Sequence, residues 1–249
     1  MSFKQPLFAL GLALSAVTFN ANATLTSYSA NGVDLVYSSV SDVTWTKDAN
    51  LLGSLIIKQG YNTVVNAIIN ASPVVSSTPN IYDTPYRSGH HNVTFSDFGV
   101  GGNMNWFGAK AFVNYLNSVQ YGGSSQWDLP NSDKSSIEQL YYNELQAPKF
   151  GPMPNSNKFI NEQAGSYWET ELTQSSNAAG LFNFAWGQHG FSQKNEFNHY
   201  DFTLSQYYSH FVWAVTPGHV SAVPMPSAVW LFVTGLAGLL GPKRRGLTR

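Results

Sequence analysis

Residues 104–145 read MNWFGAKAFVNYLNSVQYGGSSQWDLPNSDKSSIEQLYYNEL, and the recurrence of apolar side chains along them decides what kind of fold the chain can adopt. Trp106, Ala109, Phe112, Val113 and Leu116 fall at intervals of three and four, which puts them on one stripe of an amphipathic helix. Asn105 stands just before the stripe, where its side chain can accept from an unpaired amide of the first turn. Gly122-Gly123 ends the helix. An extended piece around Trp127 and a turn at Pro130-Asn131 lead to a second helix, expected from about Asp133 to Leu145.

Outward from this pair the pattern changes period. GVDLVYSSVSDVTWT (32–46) reads as two short strands around a Ser-rich turn. YNTVVNAIIN (61–70) carries Val64, Val65, Ala67, Ile68 and Ile69 at helical spacing, and Pro73 closes it. From Ala71 to Asn105 the sequence is rich in Ser, Pro, Gly, Asn and His, so most of 51–103 reads as a loop-rich insertion, with one strand at HNVTF (91–95). Beyond Pro154 the best strands are SYWETEL (166–172), AAGLFNFAWG (178–187), YDFTL (200–204) and SHFVWAVTP (209–217). Two central helices between β-rich ends define an α+β domain.

Both ends of the chain differ from this body. Residues 1–25, MSFKQPLFALGLALSAVTFNANATL, carry a cation at Lys4 and an apolar run from Pro6 to Phe19. Small residues Ala21 and Ala23 follow, the requirements of a signal peptide cut after Ala23 by signal peptidase. At the other end, Val220 to Gly241 has no charge and could reach ~33 Å as a helix, against a hydrocarbon core of ~30 Å. The stretch clear of Pro224 and Pro226, 227–241, is shorter and suits a thin membrane. Lys243, Arg244, Arg245 and Arg249 would stay cytoplasmic and leave the body outside, with Trp230 as an interfacial anchor.

The body between these ends, 24–222, has eight Lys and Arg against fourteen Asp and Glu. That acidic balance, with no basic stripe, excludes nucleic acid as a partner. There is no cysteine, so packing must hold the fold and thiol chemistry is absent. Tryptophans at 45, 106, 127, 168, 186 and 213 supply core-forming or sugar-stacking surface; for Trp45, Trp106, Trp127 and Trp213 core packing is expected.

The candidates for chemistry are few. Glu169 and Glu171, two apart in a strand, would share a face and could form a carboxylate pair of glycosidase type. Against this, charged strand faces ordinarily meet solvent. His90, His91, His189, His199, His210 and His219 show no metal-ligand spacing, and no G-x-S-x-G elbow is present. Residues 99–102, Gly-Val-Gly-Gly, lack the lysine of a phosphate loop. No catalytic residue, metal or cofactor is expected.

Two resemblances add to this reading. AVPMPSAVWLFVTGLAGLLGPKRRG (222–246) resembles the PEP-CTERM protein-sorting signals of Gram-negative bacteria, in the variant reading Val-Pro-Leu-Pro-Ala. Val223, Pro224, Met225, Pro226 and Ser227 occupy that motif, Trp230 the apolar segment, and Lys243, Arg244 and Arg245 the basic end. The resemblance implies transient inner-membrane anchoring, recognition by an exosortase and delivery to the cell surface or extracellular matrix. In the body, DVTWTKDAN (42–50), MNWFGAKAFVNYLN (104–117), GSSQWDLPNSDKSSIEQLYYNEL (123–145), YWETE (167–171) and HFVWAVTPG (210–218) are similar, in order, to blocks of the Lcl C-terminal domain family. That bacterial surface domain of unknown function is itself similar to the C-type lectin fold.

The resemblance implies two helices and a small twisted antiparallel sheet. In it the strand around Val43–Trp45 pairs with one around Phe211–Ala214. Trp106, Phe112 and Leu116 are expected against Leu140 and Tyr141 of the second helix, with Trp127 holding the connection. Asp128 and Thr216 stand where the family usually has arginine. The implied protein is exported and non-enzymatic and binds extracellular polysaccharide. A matrix polysaccharide hydrolase with paired carboxylates, or a purely structural matrix component, are the alternatives.

Overall fold

The computed structural model describes residues 24–131, 136–149, 156–172, 175–201 and 206–221. Strands β1 (Leu25–Ala30), β2 (Val33–Ser38) and β3 (Val43–Thr46) are followed by helices α1 (Leu51–Gln59) and α2 (Tyr61–Ala71). The short strands β4 (Val74–Ser76) and β5 (His90–Asn92) pair with each other. Helix α3 (Trp106–Ser118) leads to α4 (Ser136–Gln139), which runs on as a π-helical turn, Leu140–Glu144. Strands β6 (Ser166–Glu171), β7 (Ala178–Asn183), β8 (Gln188–Gln193), β9 (Asn198–Asp201), β10 (Gln206–Phe211) and β11 (Val215–Pro217) complete the fold. Helices and sheets in separate stretches make it α+β, as the sequence implies.

Local chemistry accounts for the helices. Asn105 is extended, and its side chain accepts from the Gly108 amide at 2.9 Å, the expected cap of α3. Helix α2 ends at Ser72, because a residue before proline is pushed out of the α region. The insertion 51–103 is less loop-rich than its composition implies, since α1 adds a helix before α2. The expected start of the second helix at Asp133 lies outside the described residues. At its far end Leu145 donates back to the Leu140 carbonyl at 2.9 Å, five residues away, which is the π turn.

The sheet is not the single small antiparallel one implied by the resemblance. A four-stranded sheet runs β1-β2-β3-β11, a five-stranded sheet runs β8-β7-β6-β10-β9, and β6 pairs with β10 in parallel. The strand around Val43–Trp45 does pair near the chain end, but with Val215–Pro217. Only the Thr46 amide reaches back, to the Ala214 carbonyl at 3.1 Å. The reason lies in Phe211-Val212-Trp213-Ala214-Val215, all buried. Phe211 still belongs to the five-stranded sheet, Val215 already to the four-stranded one, and the residues between cross from sheet to sheet.

Two cores lie on either side of this strand layer. One joins α1, α2 and α3 to Leu35, Trp168, Leu181, Val212 and Ala214; the other joins Leu140 and Tyr141 to Val36, Trp45, Tyr167, Phe182, Phe211, Trp213 and Val215. Neighbouring residues of one strand therefore feed opposite cores, as the two-residue period dictates. The expected packing of Trp106, Phe112 and Leu116 on Leu140 and Tyr141 does not occur, because the strands stand between the two helices. Trp127 does hold the connection: its indole donates to the Tyr121 carbonyl at 2.8 Å, and its backbone exchanges hydrogen bonds with the Asn117 side chain.

The chain is secured up to the edge of the tail. The Gly218 amide donates to the Asp42 carbonyl at 2.8 Å, and the Thr44 hydroxyl donates to the Gly218 carbonyl at 2.7 Å. The His219 ring stacks on Tyr28 with centroids 4.2 Å apart, and the Val220 amide donates to the Tyr28 hydroxyl. The expected signal segment 1–23 and the expected sorting tail from 222 onward, with the membrane helix expected at 227–241, lie outside the described residues. Among the described residues no helix is long and apolar enough to cross a membrane.

Candidate ligand cleft

A cleft of about 800 Å³ opens where the two larger sheets meet the second helix. Its walls are the β2–β3 turn (Val40 to Val43), the extended piece from Gln126 to Asn131, the two ends of α4 (Ser136 and Gln139), Thr170 of β6, and Val215 and Pro217 of β11. Backbone pairing builds it. Asp128 and Val215 exchange hydrogen bonds of 2.8 and 3.0 Å, and the Thr170 amide donates to the Pro130 carbonyl at 3.0 Å. The extended piece is thereby tied to both sheets.

Two carboxylates stand in this lining, each held through one oxygen. Asp42 sits in the left-handed region at φ 50°, a conformation that Asp and Asn tolerate better than most residues. Its Oδ1 accepts from the Tyr37 hydroxyl at 2.8 Å. Asp128 uses Oδ1 for both the Leu129 amide, at 2.8 Å, and Lys110 Nζ, at 2.6 Å. Oδ2 of each carboxylate has no protein partner among the described residues. Ser136 is 5% exposed, lines the cleft, and its hydroxyl likewise has no partner among the described residues. Amides of Gln126, Asn131 and Gln139 and hydroxyls of Ser41 and Thr170 complete the polar rim, over an aliphatic floor of Val43, Leu129, Val215 and Pro217.

Of the two positions where the resemblance would place arginine, Asp128 lines the cleft and Thr216 does not. Asp128 pairs with Lys110; with the Asp128 side chain 52% exposed, the pair is worth under about 1 kcal/mol of stability. Thr216 is buried, and its hydroxyl shares a hydrogen bond of 2.6 Å with Ser124. Both positions thus make local contacts of their own in this chain.

Glu169 and Glu171 do not form the carboxylate pair that a shared strand face would have allowed. A bulge between Trp168 and Glu171 adds one residue to β6 and breaks the alternation that would have put both on one face. Glu169, 1% exposed, accepts from or pairs with His189 Nδ1 at 3.1 Å, and that ring lies edge-on to Phe182 of the second core. Glu171 instead binds Lys194 and the Thr78 amide, and Lys194 lies over the Trp106 ring of the first core.

The histidines also take separate places. His189 bridges Glu169 and Glu138, and the Glu169 hydrogen bond is the main cause of its raised pKa. His91 stacks on Phe107 and contacts Asp97 at 3.1 Å. His219 lies against Tyr28 and Tyr37, and His210 edge-on to Trp168. No cluster of three ligating side chains with metal geometry occurs among the described residues.

Tryptophans 45, 106, 127 and 213 are core residues, as expected, and so is Trp168. None of them lines the cleft. The residues of the expected sorting signal, Val223, Pro224, Met225, Pro226, Ser227, Trp230, Lys243, Arg244 and Arg245, and those of the expected cleavage, Ala21 and Ala23, lie outside the described residues. Comparison of the chain with protein-family models, curated proteins and solved structures finds no match.

Proposed function

We propose that this is an exported, non-enzymatic surface or extracellular-matrix protein that binds extracellular polysaccharide through the cleft described above. The observation that carries the binding half is the make-up of that cleft. Carboxylates, amides and hydroxyls surround an aliphatic floor, and such a site can hydrogen-bond sugar hydroxyls while covering the C–H faces between them. The burial of Glu169 beside His189 and the engagement of Glu171 with Lys194 support a non-catalytic role, since the first carboxylate is shut away from solvent and the second is paired.

Export and sorting rest on the sequence of the two ends. Signal peptidase cuts after Ala23; the tail then holds the body outside the inner membrane until an exosortase reads Val223–Ser227. The C-type-lectin-like assignment of the body rests on the order of its sequence blocks. A glycan array probed with the purified full chain tests the binding half: recognition of at least one polysaccharide class is expected. A silent array would leave a purely structural matrix component. Mass spectrometry of the protein from the surface of its host tests the sorting half. Recovery of a peptide spanning Trp230 to Leu240 would mean a retained membrane helix.

A further inference from the structure

We infer that the cleft selects sugar units bearing a protonated amine, and rejects acidic polysaccharides; this rests on the polysaccharide reading above. The argument is one of charge and free valence. Asp42 and Asp128 each present one oxygen fixed by the protein and one without a partner among the described residues. A carboxylate positioned in this way accepts a charge-assisted hydrogen bond from an ammonium group, which is stronger than any it makes to a sugar hydroxyl. The Ser136 hydroxyl, nearly buried and unpartnered among the described residues, adds a polar contact deeper in the same cleft.

Among the described residues of the lining, none favours an anion. Lys110, the cation beside Asp128, is already held by that carboxylate at 2.6 Å. The acidic excess of the body repels a polyanion at longer range. A bare metal ion is a poorer fit than an ammonium. The two aspartates offer one free oxygen each, and among the described residues no histidine or third carboxylate lines the cleft.

The test titrates the full chain with three soluble oligosaccharides: a β-linked glucosamine hexamer, the same hexamer fully N-acetylated, and a hexamer of uronic acid. At pH 5.5 and low salt the free-amine hexamer is expected to bind about tenfold tighter than its N-acetylated twin. The uronate should bind weakest, and added salt should erode the preference. Asp42→Asn is suited to φ 50° and keeps an acceptor for Tyr37, so it should fold normally while losing most of the preference. Asp128→Asn should do the same and, by freeing Lys110, raise uronate binding. Equal affinity for the amine and acetylated hexamers, or a preference for the uronate, overturns the charge class and leaves polysaccharide binding standing. Failure of all three to bind, with a silent glycan array, removes the polysaccharide reading itself and this inference with it.

Discussion

Two tryptophans stacked edge-on in one core, Trp45 and Trp213, differ in a single polar atom. Their rings lie 5.4 Å apart. The indole of Trp213 donates to the Thr46 carbonyl at 2.9 Å, whereas the indole nitrogen of Trp45 is buried with no hydrogen-bond partner. A buried donor left unpaired costs about 1–3 kcal/mol. Replacing Trp213 by Phe should therefore lose the hydrogen bond, orphan a carbonyl and reduce stability by about 2–4 kcal/mol. Replacing Trp45 by Phe also gives up some packing but removes an unsatisfied group, so its cost should be clearly smaller, about 0–2 kcal/mol. Urea unfolding of the two variants compares them; equal losses would show that the Trp45 N–H is satisfied after all.

At the scale of elements, the approach of α3 to the insertion depends on one residue. A methyl group at Gly108 would sit 2.5 Å from the Asp97 carbonyl and 3.2 Å from both Met104 and Phe98. Most of those neighbours are held by the backbone and cannot yield cheaply. Gly108→Ala should thus cost about 1–3 kcal/mol even though alanine is the better helix former. A thermal melt unchanged by this substitution would mean that the helix can back away from the 95–98 turn.

The same elements show what could be read from sequence. Helix α3 was legible because a cap and a full apolar stripe agree. Helix α1 was not: Gly53 interrupts it, and a methyl there would come within 2.5 Å of the capping Asn50 side chain, so close approach rather than periodicity chose that glycine. Strands β1 and β8 lie at sheet edges and expose most of their side chains, which hides the alternation. The run 211–215 looked like one strand because a fully buried crossing is as apolar as a central strand. The carboxylate pair failed on a bulge, which leaves no mark in composition. The cleft was illegible for a different reason: its walls come from five separated segments, and no local pattern records their meeting.

For the molecule as a whole, acidity is the variable that its buried ionisable groups share. His189 has its pKa raised, chiefly by Glu169. Burial alone pulls His91 down, but the Asp97 and Tyr82 hydrogen bonds outweigh it and the net shift is also upward. A histidine with a raised folded value gives stability that is complete below its unfolded value of 6.5 and is lost as pH climbs through the folded one. Glu144 acts in the same direction, because desolvation raises its pKa and its ionisation works against the fold above 4.5. Asp97 sets the lower limit. Burial pushes its pKa up, but hydrogen bonds from His91, Thr94 and Asn105 bring it below 3.8, so its contribution is lost only in stronger acid. Urea midpoints should peak between about pH 4.5 and 6.5 and fall towards pH 8.5. His91→Gln and His189→Gln should each flatten the alkaline side. A midpoint that rises from pH 6.5 to 8.5 would contradict the assignment of both histidines.

The fastening of residues 218–220 has a consequence for how the molecule can be rewired. Thr24 bonds to Ser39 at the start of β1, and Val220 bonds to Tyr28 four residues further along the same strand. Four strand residues span about 13 Å, so a linker of some six to eight residues would join residue 221 back to residue 24 without disturbing either sheet. New ends can then be opened at Tyr86-Arg87, where Tyr86 projects into solvent and the backbone turns. Such a circular permutant should melt cooperatively and keep the cleft intact, which separates the body's capacity to fold from every function of its natural ends.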